Sequence, residues 1–258
     1  MAETTYSLIT GASSGIGECF AHALAERKHN LVLVSRSAER LQALAAELRG
    51  QHGILAESMA IDLAATGAAA ELSGQLAGRG LAIDLLINNA GFGAQGEFAQ
   101  LPLPRQAEML AVNVASLVEL THFLVRPMME RRLGAVINVA STAAFQPVPY
   151  ITLYAATKAF VYSFSMGLED ELKPYGVRVV TLCPGGTKTN FFQASGYERP
   201  TFLGGLLTPE RVVADGLRRL DAGGGLVTSG VLNKMTVFVQ RFLPRSLPVT
   251  MAGKMFKP

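Results

Sequence analysis

Cysteine is scarce in this chain of 258 residues: Cys19 and Cys183 stand far apart, with no C-x-x-C spacing. That argues against a disulfide scaffold or a thiolate metal site and leaves two reduced, packed thiols as the expectation. Histidine is sparse too. His22, His29, His52 and His122 form no H-E-x-x-H or similar ligand spacing, so no metal is predicted. An uninterrupted apolar run of about 18 residues is missing, so a transmembrane span is not expected. Met1 to Thr5 leave no room for a charged and then apolar leader before the strand-like Tyr6-Ser7-Leu8-Ile9, which points to a soluble, cytoplasmic protein. Linker-like Pro/Ser stretches, internal repeats and low-complexity segments are absent as well, which favours a single domain. Acidic residues stop at Asp221. Beyond it lie five of the chain's 23 basic residues (Lys234, Arg241, Arg245, Lys254, Lys257) and none of its 20 acidic ones. No basic stripe interleaved with stacking aromatics accompanies them, so nucleic-acid binding is not expected.

What the chain does contain is apolar sequence, 49% of its residues, and 26 glycines, a composition suited to a buried parallel sheet with tight turns. Short aliphatic runs alternate with helical periodicities, the pattern of successive βαβ units. Leu8-Ile9, Leu31 to Val34, Ile54 to Met59, Leu85 to Ile87, Ala135 to Val139 and Val177 to Leu182 read as buried strands, with a short one at Leu226-Val227. Ile16 to Arg27, Ala38 to Leu48, Ala68 to Leu76, Arg105 to Met129, Leu153 to Leu172 and Pro209 to Leu220 read as helices. Right-handed crossovers then predict a doubly wound parallel sheet with helices on both faces, over about residues 1–230. Residues 231–258 form a basic, apolar tail packed on the body or on a partner subunit. In it Leu232, Met235, Val239 and Phe242 fall at helical spacing before Pro244.

Two motifs carry chemistry. Thr10-Gly11-Ala12-Ser13-Ser14-Gly15-Ile16-Gly17 lies where the first strand gives way to the first helix. Glycines there let backbone approach a pyrophosphate, and the helix N-terminus directs N–H groups at it. Tyr154 and Lys158 share one helix face four positions apart, with Ser141 thirteen positions before the tyrosine. A free phenol titrates at about 10, and a neighbouring ammonium lowers that value, so Tyr154 can exchange a proton with a substrate oxygen that Ser141 hydrogen-bonds. Taken alone, a Tyr-x-x-x-Lys pair is a common helical coincidence.

Thr10 to Gly17, Asn88-Asn89-Ala90-Gly91, Asn113, Ser141, Tyr154-Ala155-Ala156-Thr157-Lys158 and Pro184-Gly185 occur in that order. In this the chain resembles the short-chain dehydrogenase/reductase family over about residues 6–230, with a single-domain Rossmann-type fold. The resemblance implies that Tyr154 is the acid/base and also borders the cofactor, that Ser141 steadies the substrate oxygen, and that Lys158 lowers the tyrosine pKa and binds the nicotinamide ribose. Asn113 then holds a water of a proton relay. It places Gly11, Ser13, Ser14, Gly15, Ile16 and Gly17 at the pyrophosphate and Asn89, Ala90 and Gly91 at the adenosine side, with Asn88 tying strands together. Asp62 and Leu63 meet adenine, and Pro184, Gly185 and Thr187 meet the nicotinamide end. After the second strand the chain reads Ser35-Arg36-Ser37. The absence of a carboxylate there and the charged fork of Arg36 favour NADP(H), with NAD(H) as the alternative.

Phe92, Ala143, Ala144, Phe145, Pro147, Phe191 and Phe192 adjoin these segments and predict an apolar pocket, if they face inward, for a lipophilic ketone, aldehyde or secondary alcohol. Asn190 to Leu207 reads as a loop that closes over substrate. The expected activity is NADPH-dependent carbonyl reduction, reversible to alcohol oxidation. Two alternatives remain open, a 3-oxoacyl thioester reductase of lipid metabolism and a non-catalytic NADP-binding sensor. The family's dimers and tetramers use helices matching Arg105 to Met129 and Leu153 to Leu172. Contact of the tail with an anionic membrane or an acyl carrier is a further alternative to packing.

Overall fold

The computed structural model describes residues 4–196, 205–244 and 246–257. Seven strands form one parallel sheet in the order β3-β2-β1-β4-β5-β6-β7. They are β1 (Thr5–Thr10), β2 (Asn30–Ser35), β3 (Ala56–Ala60), β4 (Ala82–Asn88), β5 (Gly134–Val139), β6 (Val177–Cys183) and β7 (Gly225–Thr228). Strand alternation explains the two layers that cover the sheet. Ile9, Leu31, Leu33 and Ile87 point to one face, where α1 (Gly15–Glu26), α2 (Ala38–His52) and, after the intervening elements, α8 (Pro209–Asp221) pack through Phe20, Leu24, Leu44, Val212 and Leu217. Leu8, Val32, Val34 and Leu86 point to the other, which α3 (Ala68–Gly78) and α5 (Ser116–Arg131) cover with Leu72, Leu76, Leu120 and Met128. The doubly wound architecture read from the sequence is the one observed.

Three details depart from the sequence reading. Arg105 to Met129 is not one uninterrupted α-helix: α4 (Leu103–Leu110) passes through a π turn at Ala111–Ala115 before α5 begins. Such a turn inserts one residue and re-aims the helix beyond it, and it falls on Asn113. The 29-residue unit Leu103–Arg131 is long enough, with a window of mean hydropathy 1.4, to cross a membrane. Here it is a core element, since Leu117, Leu120, Leu124 and Met128 are buried and α5 packs on α3, β4 and β5. Third, the tail holds two helices, α9 (Val231–Gln240) and α10 (Ser246–Phe256), where periodicity suggested one; they come after α6 (Thr152–Leu172) and the short α7 (Phe191–Ala194) in chain order. Leu247, Met251 and Met255 repeat every four residues, the signal that a second helix resumes beyond Pro244.

Candidate active site

The strand order reverses between β1 and β4, and a crevice opens there at the carboxyl ends of the strands. It widens into a cleft of about 950 Å³ that reaches from the glycine loop to the tail helices. Gly11, Ser13, Ser14, Gly15 and Ile16 line one end. Gly11 has φ +66°, and a Cβ on Gly17 would stand 2.2 Å from the Gly11 carbonyl oxygen, so a side chain at either position collides or strains. Gly17 thus sits behind the loop and holds α1 against it, outside the cleft wall. Ser14 makes no side-chain cap on α1, leaving the first-turn N–H groups to meet an anion.

Hydrogen bonds fix this loop to the end of β4. Thr10 Oγ1 accepts from the N–H groups of Asn89 and Ala90, both at 3.0 Å, while Asn89 Nδ2 donates to the Thr10 carbonyl at 2.9 Å. Asn88, next along the strand, is a structural tie as expected: its Nδ2 donates to Thr121 Oγ1 (3.0 Å) and Asn138 Oδ1 (2.9 Å), and Asn138 donates to Ser165 Oγ (2.9 Å). Asn89, Ala90, Gly91, Ile61, Asp62 and Leu63 continue the wall. Asp62 Oδ1 accepts from Ala64 N at 3.0 Å.

At the end of β2, Arg36 lines the cleft with Ser35, Ser37 and Arg40. The fold adds a carboxylate that sequence proximity does not reveal. Glu108 on α4 pairs with Arg36 at 3.1 Å and with Arg105 at 2.8 Å, and Arg105 stacks 3.7 Å over the Phe92 ring. Arg36, Arg40 and Arg105 outnumber Glu108, so this rim stays cationic and fits a phosphate on the ribose.

Ser141, Tyr154 and Lys158 converge on the middle of the cleft. Ser141, two residues past β5, caps the 3₁₀ turn Thr142–Phe145, its Oγ accepting from Ala143 N at 3.1 Å, which leaves the hydroxyl proton to donate. Tyr154 and Lys158 project from the first turns of α6, both buried. Lys158 Nζ donates to the Val139 carbonyl at 2.7 Å and lies 5.9 Å from the centre of the Tyr154 ring. Burial pushes the Tyr154 phenol up to about 12, with the Ser141 hydrogen bond pulling the other way, and burial pushes the Lys158 ammonium down to about 8. This corrects the expectation that Lys158 holds the tyrosine below its ordinary value. The ammonium is directed at a backbone carbonyl, and desolvation of the phenolate outweighs the Ser141 hydrogen bond. Tyr154 is therefore held protonated at neutral pH.

Asn113 stands one layer behind the cleft wall. Its Oδ1 accepts from Phe92 N at 3.1 Å, and its Nδ2 donates to the Phe92 carbonyl (3.0 Å) and to Thr157 Oγ1 (3.1 Å). Its side chain ties the segment after β4 to α6. Pro184, Gly185 and Thr187 follow β6 along the wall, with Thr187 Oγ1 donating to the Gly185 carbonyl at 3.0 Å. Cys183, just before them, is a free, buried thiol, pushed up to about 12 by burial.

Beyond Ser141, Tyr154 and Lys158 the cleft is mostly apolar. Phe92, Ala143, Phe191 and Phe192 line it as expected, and Phe191 packs 5.4 Å from Tyr154 between ring centres. Ala144, Phe145 and Pro147 are not in the wall: the 3₁₀ turn carries Phe145 outward onto Tyr162, at 4.9 Å, and Gln146 and Val148 take the lining positions. Tail residues that sequence reasoning did not place in the site complete the enclosure, among them Met235, Val239, Met251 and Ala252. Ala252 is buried with Val148, Ile151 and Tyr154, and Gln95 Nε2 donates to the Phe256 carbonyl at 2.7 Å. The tail thus packs on the body. Of the suggested closing loop Asn190 to Leu207, residues 197–204 lie outside the described residues; α7 is fastened where Gly93 N donates to Ser195 Oγ at 3.2 Å.

Residues 5–199 match the short chain dehydrogenase family. A short-chain dehydrogenase from Sphingobium yanoikuyae, solved in complex with NADPH, is 32% identical with a TM-score of 0.83 over 93% of this chain and 96% of that one. The bulky-bulky ketone specific alcohol dehydrogenase from Comamonas testosteroni is 29% identical, with a TM-score of 0.79 over 93% of each chain. The very-long-chain 3-oxoacyl-CoA reductase of Phaeosphaeria nodorum is 35% identical over 179 residues, 68% of this chain and 52% of that protein. The chain spans about half to two thirds of the length of the curated relatives it matches.

Proposed function

The chain belongs to the short-chain dehydrogenase/reductase family, and from that membership we propose that it is an NADPH-dependent oxidoreductase reducing a lipophilic ketone or aldehyde to an alcohol. The observation that carries this reading is the convergence of Ser141, Tyr154 and Lys158 at the boundary between a phosphate-shaped, cationic half of one cleft and an apolar half. When bound, the nicotinamide supplies the hydride. The loop from Gly11 to Ile16 would hold the pyrophosphate, Arg36 and Arg40 the ribose phosphate, Asp62 and Leu63 the adenine, and Pro184 to Thr187 the nicotinamide end.

The rest of the work falls to the chain's own side chains. Ser141 donates a hydrogen bond to the substrate oxygen and fixes it beside the Tyr154 hydroxyl. Tyr154, protonated because burial pushes it to about 12, delivers its proton to that oxygen as the bond order falls. Lys158, charged below about 8, would hold the ribose hydroxyls with its ammonium and help to stabilise the phenolate left behind. Asn113 is a positioning residue, holding Phe92 and Thr157 so that both walls keep their spacing. The apolar half of the cleft keeps water from the reacting oxygen.

A 3-oxoacyl thioester is the favoured form of lipophilic ketone, because the curated relatives named for that chemistry are 32–35% identical and the cleft extends past Tyr154 into methionine-rich helices. A non-catalytic NADP-binding sensor has no use for a proton donor desolvated at the centre of the cleft. The same reading gives a cytoplasmic homodimer or homotetramer built through the outer faces of α5 and α6, where Phe123 and Phe160 are exposed. The test is NADPH oxidation across 3-oxoacyl thioesters of increasing chain length, bulky ketones and aldehydes, with NADH as control. Turnover of long 3-oxoacyl thioesters with NADPH supports the reading, and absence of turnover across all three classes contradicts it.

A further inference from the structure

α9 and α10 present more apolar surface to solvent than any other pair of consecutive helices among the described residues. Val231, Met235, Phe238 and Phe242 fall on one side of α9 and its C-terminal extension, and Phe238 and Phe242 are 60% and 73% exposed with ring centres 5.2 Å apart. Leu247, Met251 and Met255 form the matching exposed stripe of α10. Exposed apolar surface this concentrated marks a contact site. Its charges select the partner. Lys234 and Arg241 stand four before and three after Phe238, flanking it on the same side of the helix, and Lys254 and Lys257 lie at the end of α10. No acidic residue occurs after Asp221. A two-fold contact with a second copy would bring these like charges together with no carboxylate of the tail to pair them. An anionic lipid surface complements both features, taking the aromatic side chains between its headgroups and the ammonium and guanidinium groups at its phosphates.

We propose that the α9–α10 pair is an interfacial element that seats the protein on an anionic bilayer surface. The placement has a functional consequence. Met235, Met251 and Met255 of these stripes, together with Val239, are exposed and also line the cleft, so the cleft borders the seated face. Docking itself rests on the surface and its charges, independently of the substrate reading above.

The test is co-sedimentation of the full chain with vesicles of phosphatidylcholine alone and of equimolar phosphatidylcholine and phosphatidylglycerol. Binding to the anionic vesicles is expected to exceed binding to the neutral ones by about tenfold or more and to weaken as salt is raised. Phe238→Ser with Phe242→Ser should lower the partition coefficient about tenfold, and Lys234→Glu with Arg241→Glu should remove the preference for phosphatidylglycerol. None of these four residues lines the cleft, so NADPH oxidation with a water-soluble ketone should remain at the wild-type rate and report that the variants are folded. Equal binding to both vesicles, or undiminished binding by both double variants, overturns the proposal. So does a lower oligomeric state of the Phe238/Phe242 variant in sedimentation velocity with vesicle binding unchanged, which would give the face to another copy. Loss of binding to an acidic carrier protein with vesicle binding intact would give it to that class of partner instead.

Discussion

At the glycine-loop end of the cleft the walls are strand ends and turns whose polar atoms are hydrogen-bonded to neighbours, as Thr10, Asn88 and Asn89 illustrate. At the far end the wall is two helices that meet the body through Asn233, Val237, Pro248 and Ala252 and leave most of their other residues exposed. The first region tolerates little displacement, because a shifted loop leaves buried donors unpaired and backbone in collision. The second is held by adaptable apolar contact, much of it methionine, and can change shape gradually. Under the proposed function, cofactor recognition falls to the rigid end and substrate range to the soft one.

Within this contrast the largest effect should come from Gly17→Ala, whose new methyl group meets the Gly11 carbonyl oxygen. Overpacking of this kind costs about 3 kcal/mol, read as a lower denaturation midpoint with NADPH binding lost. An unchanged midpoint would remove the contrast in rigidity. The pH profile comes next. Reduction needs Tyr154 protonated, which holds below about 12, and Lys158 charged, which holds below about 8. Reductive kcat/KM should be level on the acid side of that lower value and fall about tenfold per pH unit above it, whereas alcohol oxidation should gain from rising pH until Lys158 discharges. Arg36→Ala should lower kcat/KM with NADPH about tenfold, the worth of one charge-assisted hydrogen bond, and leave the NADH rate unchanged. The smallest effect belongs to the soft end: Met235→Ala with Met251→Ala should raise KM about threefold for long apolar substrates, with little change for short ones. A larger rise for the short substrates would place the tail closer to the chemistry than the structure does.

The sheet was legible because each strand is a short aliphatic run bounded by turn residues, and each helix carries its apolar stripe at period 3.6. The convergence of Ser141, Tyr154 and Lys158 was legible because one follows a strand end and the others share a helix, where spacing along the chain reports spacing in space. What escaped has equally physical reasons. The π turn at Ala111–Ala115 is written in residues that suit an ordinary helix. Glu108 reaches Arg36 across 72 positions of chain, a pairing set by how α4 crosses the end of β2. Pro244 hid α10 by stopping the periodicity of α9. The direction of the Tyr154 shift depends on depth of burial, and residue spacing carries no record of that.

Central to the proposed mechanism is Tyr154, a desolvated phenol that stays protonated at neutral pH. Its most direct test pairs NADPH binding, followed by fluorescence titration, with NADPH oxidation by Tyr154→Phe on the best carbonyl substrate. The expected result is an NADPH dissociation constant within about twofold of wild type and a kcat lowered about 10³-fold, the scale of general acid catalysis. Turnover near the wild-type rate would contradict the mechanism, and equal loss of binding and turnover would make Tyr154 a part of the cofactor site.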